Sequence, residues 1–257
     1  MARNIFQIKD DIITFVGDKG EEVLGNSADC RMVGGKFVSD GSNGGTCVLK
    51  NTNFSNSNLT NNRNIFGQGN TTHSKAMNNN VIGDYNTLDN VENTHTIGKF
   101  AHTTRYGEFN QAITTAKGRT QRSVLMFEGT TTDANYTEIF LGGQSGKRFI
   151  VDETKECVIG FEGYVLAMRV DSGGLGEMMN KFQHATFEYS SSTRTLTQAG
   201  STGTKTNNKN HSNSWNNRYV ATSGTPDYIK VECKGVAGAT IHWSVILHVF
   251  ELKTNAI

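Results

Sequence analysis

The residues best suited to a chemical contact lie in the polar stretch 207–219, which reads Asn-Asn-Lys-Asn-His-Ser-Asn-Ser-Trp-Asn-Asn-Arg-Tyr. Aromatic faces stack on sugar rings, and side-chain amides hydrogen-bond to hydroxyl groups. We therefore predict a glycan or receptor contact made by His211, Trp215, Asn216, Arg218 and Tyr219. The alternative is that the two aromatic residues begin a strand and pack in a core. We favour that alternative for Tyr219, and both interpretations stay open for Trp215.

Acidic side chains can catalyse the cleavage of a polysaccharide. The candidates in this sequence are Asp133, Glu138, Asp152, Glu153 and Glu156. Glycoside hydrolysis needs two carboxylates that converge on one bond. The sequence does not place any two of these residues together, and acidic residues in turns are usually solvated. We therefore predict no catalytic residue and a chain that is not an enzyme.

No metal or cofactor site is predicted from the histidines. His95 and His102 lie in repeats where a threefold axis could gather three copies around a cation, but a solvent-facing position is the simpler interpretation. His242 and His248 stand six residues apart, about 20 Å along a strand, so they cannot share an ion within one subunit. We therefore expect ordinary interface histidines.

A phosphate-binding loop is also not expected. The run Gly-Gly-Gln-Ser-Gly at 142–146 precedes Lys147, but its glycine spacing is one residue short. Arg148 stands where a serine or threonine would bind magnesium. A hairpin turn is the interpretation that remains.

The elements that must position these residues begin with Gly/Asn repeats between about 51 and 110. The units Asn-Ile-Phe-Gly-Gln-Gly-Asn at 64–70 and Asn-Val-Ile-Gly-Asp-Tyr-Asn at 80–86 align on a glycine, and phrases around Gly98 and Gly107 continue the series. Phe54 and Leu59 repeat at a period of five residues, as in rungs of a β-helix. Glycine and asparagine enter positive φ at low cost, so a short strand followed by a tight turn is expected. A repeated strand–turn unit predicts a β-helix or β-roll stalk.

Fuller strands are predicted after residue 115. In the run from Tyr228 to Lys234, Ile229, Val231 and Cys233 alternate with charged residues, which is typical of a half-buried strand. About eight such strands without a convincing helix of three turns predict an antiparallel β-sandwich, jelly-roll-like in type.

Composition limits the function classes. The formal net charge of +1 gives no electrostatic reason to expect nucleic acid or an anionic membrane as a partner. Only 35% of the residues are hydrophobic, so burial between subunits is expected. We predict four free thiols in a reducing compartment, because no Cys-x-x-Cys spacing relates the cysteines, which are Cys30, Cys47, Cys157 and Cys233. The beginning of the chain lacks the apolar run of a signal peptide, and no segment is expected to enter a membrane.

Two segments carry a family resemblance. Residues 122–141, Arg-Ser-Val-Leu-Met-Phe-Glu-Gly-Thr-Thr-Thr-Asp-Ala-Asn-Tyr-Thr-Glu-Ile-Phe-Leu, followed by Gly-Lys-Arg-Phe at 146–149, resemble C-terminal domains of bacteriophage tail-fibre and related virion proteins. The phrase Val-Ala-Gly-Ala-Thr-Ile-His-Trp-Ser-Val-Ile-Leu-His-Val at 236–249 is similar to the end of those domains, which more often carry Arg at the place of His242. The Gly/Asn repeats resemble trimeric β-rolls of phage fibres and adhesin heads. The resemblance implies a homotrimeric tail fibre or spike that contacts a host surface.

We therefore predict an all-β homotrimer with three parts: an N-terminal β region at 1–50 (attachment or first stalk rungs), a stalk at 51–115 and a sandwich tip at 116–257. Its expected partners are itself, other phage tail proteins and a host surface polysaccharide or protein receptor, and its location is the virion tail after assembly in the host cytoplasm. Adhesion without catalysis is the main hypothesis, since three weak sites on one stem give avidity. A polysaccharide-degrading tailspike and a structural collar or connector protein are the alternatives.

Overall fold

Short β-branched and aromatic runs form strands throughout the chain in the computed structural model, which contains 22 strands in the part that it describes. The described residues are 5–9, 12–16, 22–24, 30, 36–39, 45–48, 64–73, 76–171, 177–200, 204–209 and 214–254. The all-β class is confirmed for these residues. Among them, no helix is long and apolar enough to cross a membrane. The five-residue repeat of Phe54 and Leu59 lies outside the described residues.

An antiparallel sheet forms the N-terminal part, with the strands β1 (Ile5–Lys9), β2 (Ile12–Val16), β3 (Glu22–Leu24), β4 (Lys36–Ser39) and β5 (Gly45–Val48). Its order is β1-β2-β5-β4, and β3 pairs with β2. Cys30 and Cys47 form a disulfide. The expectation of four free thiols is therefore wrong, because the fold joins two cysteines whose spacing follows no motif. Cys157 and Cys233 are free and buried, as expected.

A parallel β-solenoid follows, built from β6 (Asn64–Phe66), β7 (Thr71–Thr72), β8 (Asn80–Asp84), β9 (Thr87–Leu88), β10 (His95–Lys99), β11 (His102–Thr103) and β12 (Phe109–Ile113). Strands β6, β8, β10 and β12 stack in register on one side, and β7, β9 and β11 stack on another. The chain therefore completes about three turns, and the predicted β-helical repeat is confirmed.

Glycines at one position of each turn make this stacking possible. Gly67, Gly83 and Gly98 lie in one column with φ between +115° and +122°. A Cβ on Gly83 would stand 1.9 Å from the carbonyl oxygen of Gly98 in the next turn. Only glycine fits both the backbone conformation and the space. Gly107 does not continue this column, because the register pairs Gly98 with Ala112.

Asparagine side chains tie the turns together. Asn86 donates from Nδ2 to the carbonyl of Gly98 (3.0 Å) and accepts from the backbone N–H of Ala101 (2.9 Å). Asn70 makes the equivalent pair of bonds one turn earlier, to Gly83 and Asn86. Each side-chain amide therefore pairs with one backbone donor and one backbone acceptor that would otherwise be buried without a hydrogen-bond partner.

The interior of the solenoid changes from apolar to polar along its axis. The column of facing residues runs Ile65, Val81, Thr96 and Asn110, all buried. Thr96 bonds to Thr103 through their hydroxyls (2.7 Å), and Asn110 donates to the carbonyl of His102 (3.0 Å). The last turn is thus held by hydrogen bonds rather than by apolar contacts.

The remaining strands form two packed groups, and their bounds are β13 (Thr120–Thr131), β14 (Tyr136–Leu141), β15 (Phe149–Ile150), β16 (Cys157–Arg169), β17 (Met178–Ser190), β18 (Thr195–Gln198), β19 (Thr204–Lys209), β20 (Asn216–Thr222), β21 (Tyr228–Lys234) and β22 (Ile241–Lys253). The long sheet has the order β17-β16-β22-β13, with β18 and β19 at its β17 edge. The short sheet consists of β20, β21, β14 and β15.

The solenoid and the long sheet share one continuous sheet. Strand β12 pairs in parallel with β10 on one side and antiparallel with β13 on the other. One core connects the inner face of the long sheet to the short sheet, and it contains Phe127, Phe161, Val245, Ile229 and Val231. The alternation predicted for the run 228–234 is present, with Ile229, Val231 and Cys233 buried.

A buried ion network fastens the last solenoid turn to the long sheet. Arg105 is fully buried and donates to Glu108 (3.1 Å) and to Glu251 (2.5 Å). Its Nε donates to the carbonyl of Ile150, and its guanidinium lies 4.2 Å from the ring centre of Phe149. Burial opposes ionisation of Glu251, but Arg105 and Lys253 outweigh it and lower the Glu251 pKa.

We predict that Arg105→Met destabilises the protein by about 3–5 kcal/mol, because it leaves two buried carboxylates without their cation. Arg148→Met is the matched control, since Arg148 pairs with Glu138 at 2.8 Å but is 36% exposed. That change should cost at most about 1 kcal/mol. Urea denaturation followed by circular dichroism measures both. Equal losses in the two variants would contradict a central role for Arg105.

Candidate functional site

The two aromatic residues of the predicted contact lie in the core. Trp215 is 4% exposed, and its ring centre stands 6.1 Å from that of Trp243. Tyr219 is 5% exposed and meets Phe161 edge-on at 4.7 Å. His211 lies outside the described residues. The rings of Trp215 and Tyr219 therefore do not offer an open face to solvent.

Residues of the polar segment contact a half-buried aromatic ring from another strand, that of Tyr136. The guanidinium of Arg218 lies 4.0 Å from its ring centre and also pairs with Glu232 at 2.6 Å. Asn216 donates from Nδ2 to the Tyr136 hydroxyl (3.1 Å). The sequence did not identify Tyr136, because it belongs to β14, 80 residues before its partner Asn216.

A polar cavity of about 480 Å³ opens between the edge of the long sheet and the edge of the short sheet. We call it the seam cavity. Every lining side chain carries a polar group, and the lining residues are Lys181, Gln183, Gln198, Asn216, Asn217, Arg218 and Tyr219. Three residues of the predicted contact, Asn216, Arg218 and Tyr219, thus line one cavity. Strand β17 supplies Lys181 and Gln183, which the sequence analysis missed.

Buried polar groups form the inner wall of the seam cavity. The ammonium of Lys181 donates to Oδ1 of Asn216 at 2.6 Å, and burial lowers the Lys181 pKa. The amide nitrogen of Asn217 donates to Oε1 of Gln183 at 2.5 Å. The Oδ1 atom of Asn217 is buried without a hydrogen-bond partner among the described groups. Such a group indicates a site for a bound polar molecule or water.

A second polar cluster lies where the solenoid meets the long sheet. His102 in β11 contacts Asp89 through Nε2 at 3.0 Å and Asp152 through Nδ1 at 3.7 Å. Lys253 in β22 pairs with Asp152 at 3.3 Å. Asp89 is half exposed, while His102 and Asp152 are nearly buried. We call these four residues the junction cluster.

The junction cluster holds both of its carboxylates ionised. The hydrogen bond from His102 lowers the Asp89 pKa. Burial favours the neutral form of Asp152, but Lys253, Thr154 and His102 together lower its pKa to about 2. The imidazole fills the space between the two carboxylates, so these two do not flank a substrate bond as in a glycosidase pair. Asp89 is the member that solvent reaches.

The other acidic residues named from the sequence hold turns and ion pairs, and no contact joins any two of them. Glu138 pairs with Arg148, and Glu153 accepts from the backbone N–H of Asp227. Glu156 accepts from the hydroxyl and backbone N–H of Ser191. Asp133 accepts from the N–H of Asn135. Of the five, only Asp152 belongs to a cluster with a histidine.

The histidines differ in environment, although the sequence predicts solvent-facing positions for His95 and His102 and interface positions for His242 and His248. His95 stacks on Phe109 with ring centres 5.0 Å apart, and His242 is exposed. His102 is instead 7% exposed and bonded to a carboxylate. Within the described ranges, no group of three metal-ligating side chains comes together.

The outer face of the long sheet, which points away from the short sheet, is apolar and exposed. Its exposed apolar residues are Met126, Val158, Tyr164, Leu166, Met168, Met178, Phe250 and Leu252. The face continues onto the solenoid through Phe66, Ile82 and Phe109. A cavity of about 910 Å³ lined by Leu166, Met168 and Met178 forms part of it. Exposed apolar surface of this extent marks an interaction site.

We predict that Asp152→Asn lowers stability at neutral pH and that this loss disappears as the pH falls through about 2. Asp152 has a pKa of about 2 in the fold against an ordinary 3.8, so its contribution is complete above 3.8 and disappears as the pH falls through about 2. The difference in unfolding free energy from the wild type should therefore shrink from about 2 kcal/mol towards zero. Urea denaturation at stepped pH measures it. The exposed Asp133→Asn control should follow the wild type; a pH-independent difference for Asp152→Asn would contradict the prediction.

Comparison with known proteins returns no matching family model and no matching curated protein. Solved structures do match, and three of them are phage tailspikes, as the resemblance implied. The tailspike of Acinetobacter baumannii phage AM24 is 10% identical, with a TM-score of 0.29 over 76% of this chain and 48% of that one. A tailspike from Acinetobacter baumannii bacteriophage Fri1, described as a capsular polysaccharide depolymerase, is 9% identical, with a TM-score of 0.26 over 75% and 38%. The tailspike of Acinetobacter phage vB_ApiP_P1 is 6% identical, with a TM-score of 0.22 over 75% and 49%.

The chain therefore spans about half or less of the length of these tailspikes. The expectation of a chain without enzymatic activity is corrected by the second match, because that tailspike is described as a depolymerase. The sequence argument against catalysis considered only pairs of carboxylates in turns.

Proposed function

We propose that this chain is part of a phage tailspike that binds a polysaccharide of the host surface and degrades it. The observation that carries the proposal is the seam cavity, whose lining is polar throughout and includes a buried acceptor, Asn217 Oδ1, without a partner in the described part of the chain. Hydroxyl-rich ligands suit a wall of amides, and a cavity of about 480 Å³ has the size of a small-ligand site. Asn216 and Arg218 remain the proposed contact residues, with Lys181 and Gln183 beside them.

Cleavage is assigned to the junction cluster. Asp89 is half exposed and contacts His102, so solvent and substrate can reach it as a general base. It takes a proton from the water whose oxygen displaces the glycosidic oxygen, or from a sugar carbon as a C=C bond forms and the glycosidic oxygen leaves. The departing oxygen takes a proton from solvent. His102 bonds to Asp89 and can exchange that proton, and Asp152 lies at the other ring nitrogen and orients the imidazole. In this scheme Asp89 is the catalytic residue, and Asp152 is a positioning residue.

We predict that Asp89→Asn lowers the rate of polysaccharide cleavage by about 100-fold or more, because a general base contributes a factor of about 10²–10⁴. The assay follows new reducing ends, or the absorbance of a new C=C bond, in purified host capsular polysaccharide. Asp133→Asn is the control, since Asp133 is exposed and only caps its own turn. Unchanged cleavage by Asp89→Asn would remove the junction cluster from the mechanism. No cleavage by the wild type would refute the activity.

Self-association is proposed through the outer face of the long sheet. Four strands of 12 or 13 residues, about 4.8 Å apart and rising about 3.3 Å per residue, present roughly 800 Å². That area equals one side of a standard protein interface, about 800 Å². Met126, Ile246, Tyr164 and Phe182 stand side by side across this face. Three copies around one axis would cover these faces and the sheet edges.

The finer organisation follows from the same proposal. Residues 1–50 attach to other tail proteins or begin the stalk, residues 51–115 form the stalk, and residues 116–257 form a β-sandwich tip of a homotrimer in the virion tail. The shared sheet between β12 and β13 supports a rigid connection of stalk and tip. Three seam cavities on one stem would give avidity for a repeating polymer.

We predict that Leu166→Glu breaks this association, because a charge would be buried at the centre of an apolar interface. Size-exclusion chromatography with light scattering should give three times 28.1 kDa for the wild type and 28.1 kDa for the variant. Thr137→Glu, at an exposed position of β14, is the matched control and should keep the trimer. A monomeric wild type would refute the homotrimer.

A further inference from the structure

We propose that the seam cavity binds a sugar that carries a carboxylate, such as a uronic acid, and that Lys181 pairs with the carboxylate. This inference deepens the proposed polysaccharide binding and rests on it. It assigns a charge to the ligand, which the proposed function leaves open.

The first observation is that Lys181 is a buried cation without an anion. It is 7% exposed, and among the described side chains its bond to Asn216 Oδ1 is the only one that its ammonium makes. No ion pair joins it to any described carboxylate. An ammonium group has three donors, so two donors remain for a ligand. Buried charges in proteins are normally paired, and this one lines an open cavity.

Among the side chains that the structure describes, the groups around Lys181 do not supply the missing charge. Its neighbours in the wall, Gln183 and Asn217, are neutral amides that bond to each other. Cys233 is the nearby titratable group, and burial raises its thiol pKa far enough to keep it neutral. At the rim, Arg218 adds a second cation, which Glu232 already neutralises. The net charge of the lining with that partner included is therefore positive.

The side-chain amides that line the seam cavity favour a sugar over a simple anion as the ligand. Asn217 Oδ1 lacks a donor, and Gln198 is exposed at the rim, so the cavity offers acceptors as well as donors. A small inorganic anion such as phosphate can accept hydrogen bonds from Lys181, but it lacks the ring hydroxyls that would donate to Asn217 and contact the other amides of the lining. A neutral sugar can donate to Asn217 but leaves the ammonium unpaired. A carboxylated sugar satisfies both groups with one ring.

The test compares D-glucuronate, D-glucose and inorganic phosphate as probes of the full chain, by NMR titration at low salt. We expect glucuronate to bind at least about tenfold more tightly than glucose or phosphate, as for one charged hydrogen bond. Lys181→Gln should abolish the preference for glucuronate, and Lys181→Met should do the same if the glutamine variant does not fold. Lys230→Gln, in β21, is the control and should retain it. Thermal unfolding verifies the fold of each variant.

Equal affinity for glucuronate and glucose, or a preference that survives in a folded Lys181 variant, would overturn the inference. Equal affinity for phosphate and glucuronate would also overturn it, because the site would then take any anion. Capture of purified host polysaccharide on beads is measured in parallel. Capture that is insensitive to glucuronate and to Lys181→Gln leaves the proposed function in place and removes this inference. Absence of capture by the wild type refutes the proposed function itself.

Discussion

The buried guanidinium of Arg105 is the contact on which the arrangement of the two main parts depends. It joins Glu108 in the last solenoid turn to Glu251 near the end of β22, and all three side chains are buried. Ser123 and Gln121 of β13 complete the network by donating to the same two carboxylates. The strands of the solenoid and of the long sheet therefore meet in one fixed register. Both the junction cluster and the shared sheet follow from that register.

The two polar sites, the junction cluster and the seam cavity, lie at different margins of the long sheet. The junction cluster forms where β11 approaches β22, so that residues of the solenoid and of the C-terminal strand meet at His102. The seam cavity forms at the opposite edge, where β17 and β20 leave a gap between the sheets. The outer face between these edges stays apolar. In the proposed function, ligand binding and cleavage are therefore confined to the margins of the sheet, and its broad outer face is left for contact between copies of the chain.

How much the sequence predicts depends on how far apart the interacting residues lie. The column of Gly67, Gly83 and Gly98 was predictable, because each glycine answers a local demand for positive φ and repeats at the turn length. The position of Asn216 and Arg218 at a polar cavity was predictable from local composition. The contacts of Lys181 and His102 were not predictable, because their partners come from other parts of the chain. The Cys30–Cys47 disulfide was missed for the same reason. The sequence analysis also missed that the glycine column ends after Gly98, where Ala112 takes the next position.

The change of interior from Ile65 and Val81 to Thr96 and Asn110 gives the solenoid a direction of growth. New turns can be inserted by duplication only on the apolar side, where apolar side chains of neighbouring turns pack together without specific hydrogen bonds. At the polar side each rung is individually matched to its neighbour, so an inserted copy would leave hydroxyl and amide groups unmatched. A solenoid built in this way can thus gain or lose turns on its apolar side while its junction with the long sheet stays unchanged.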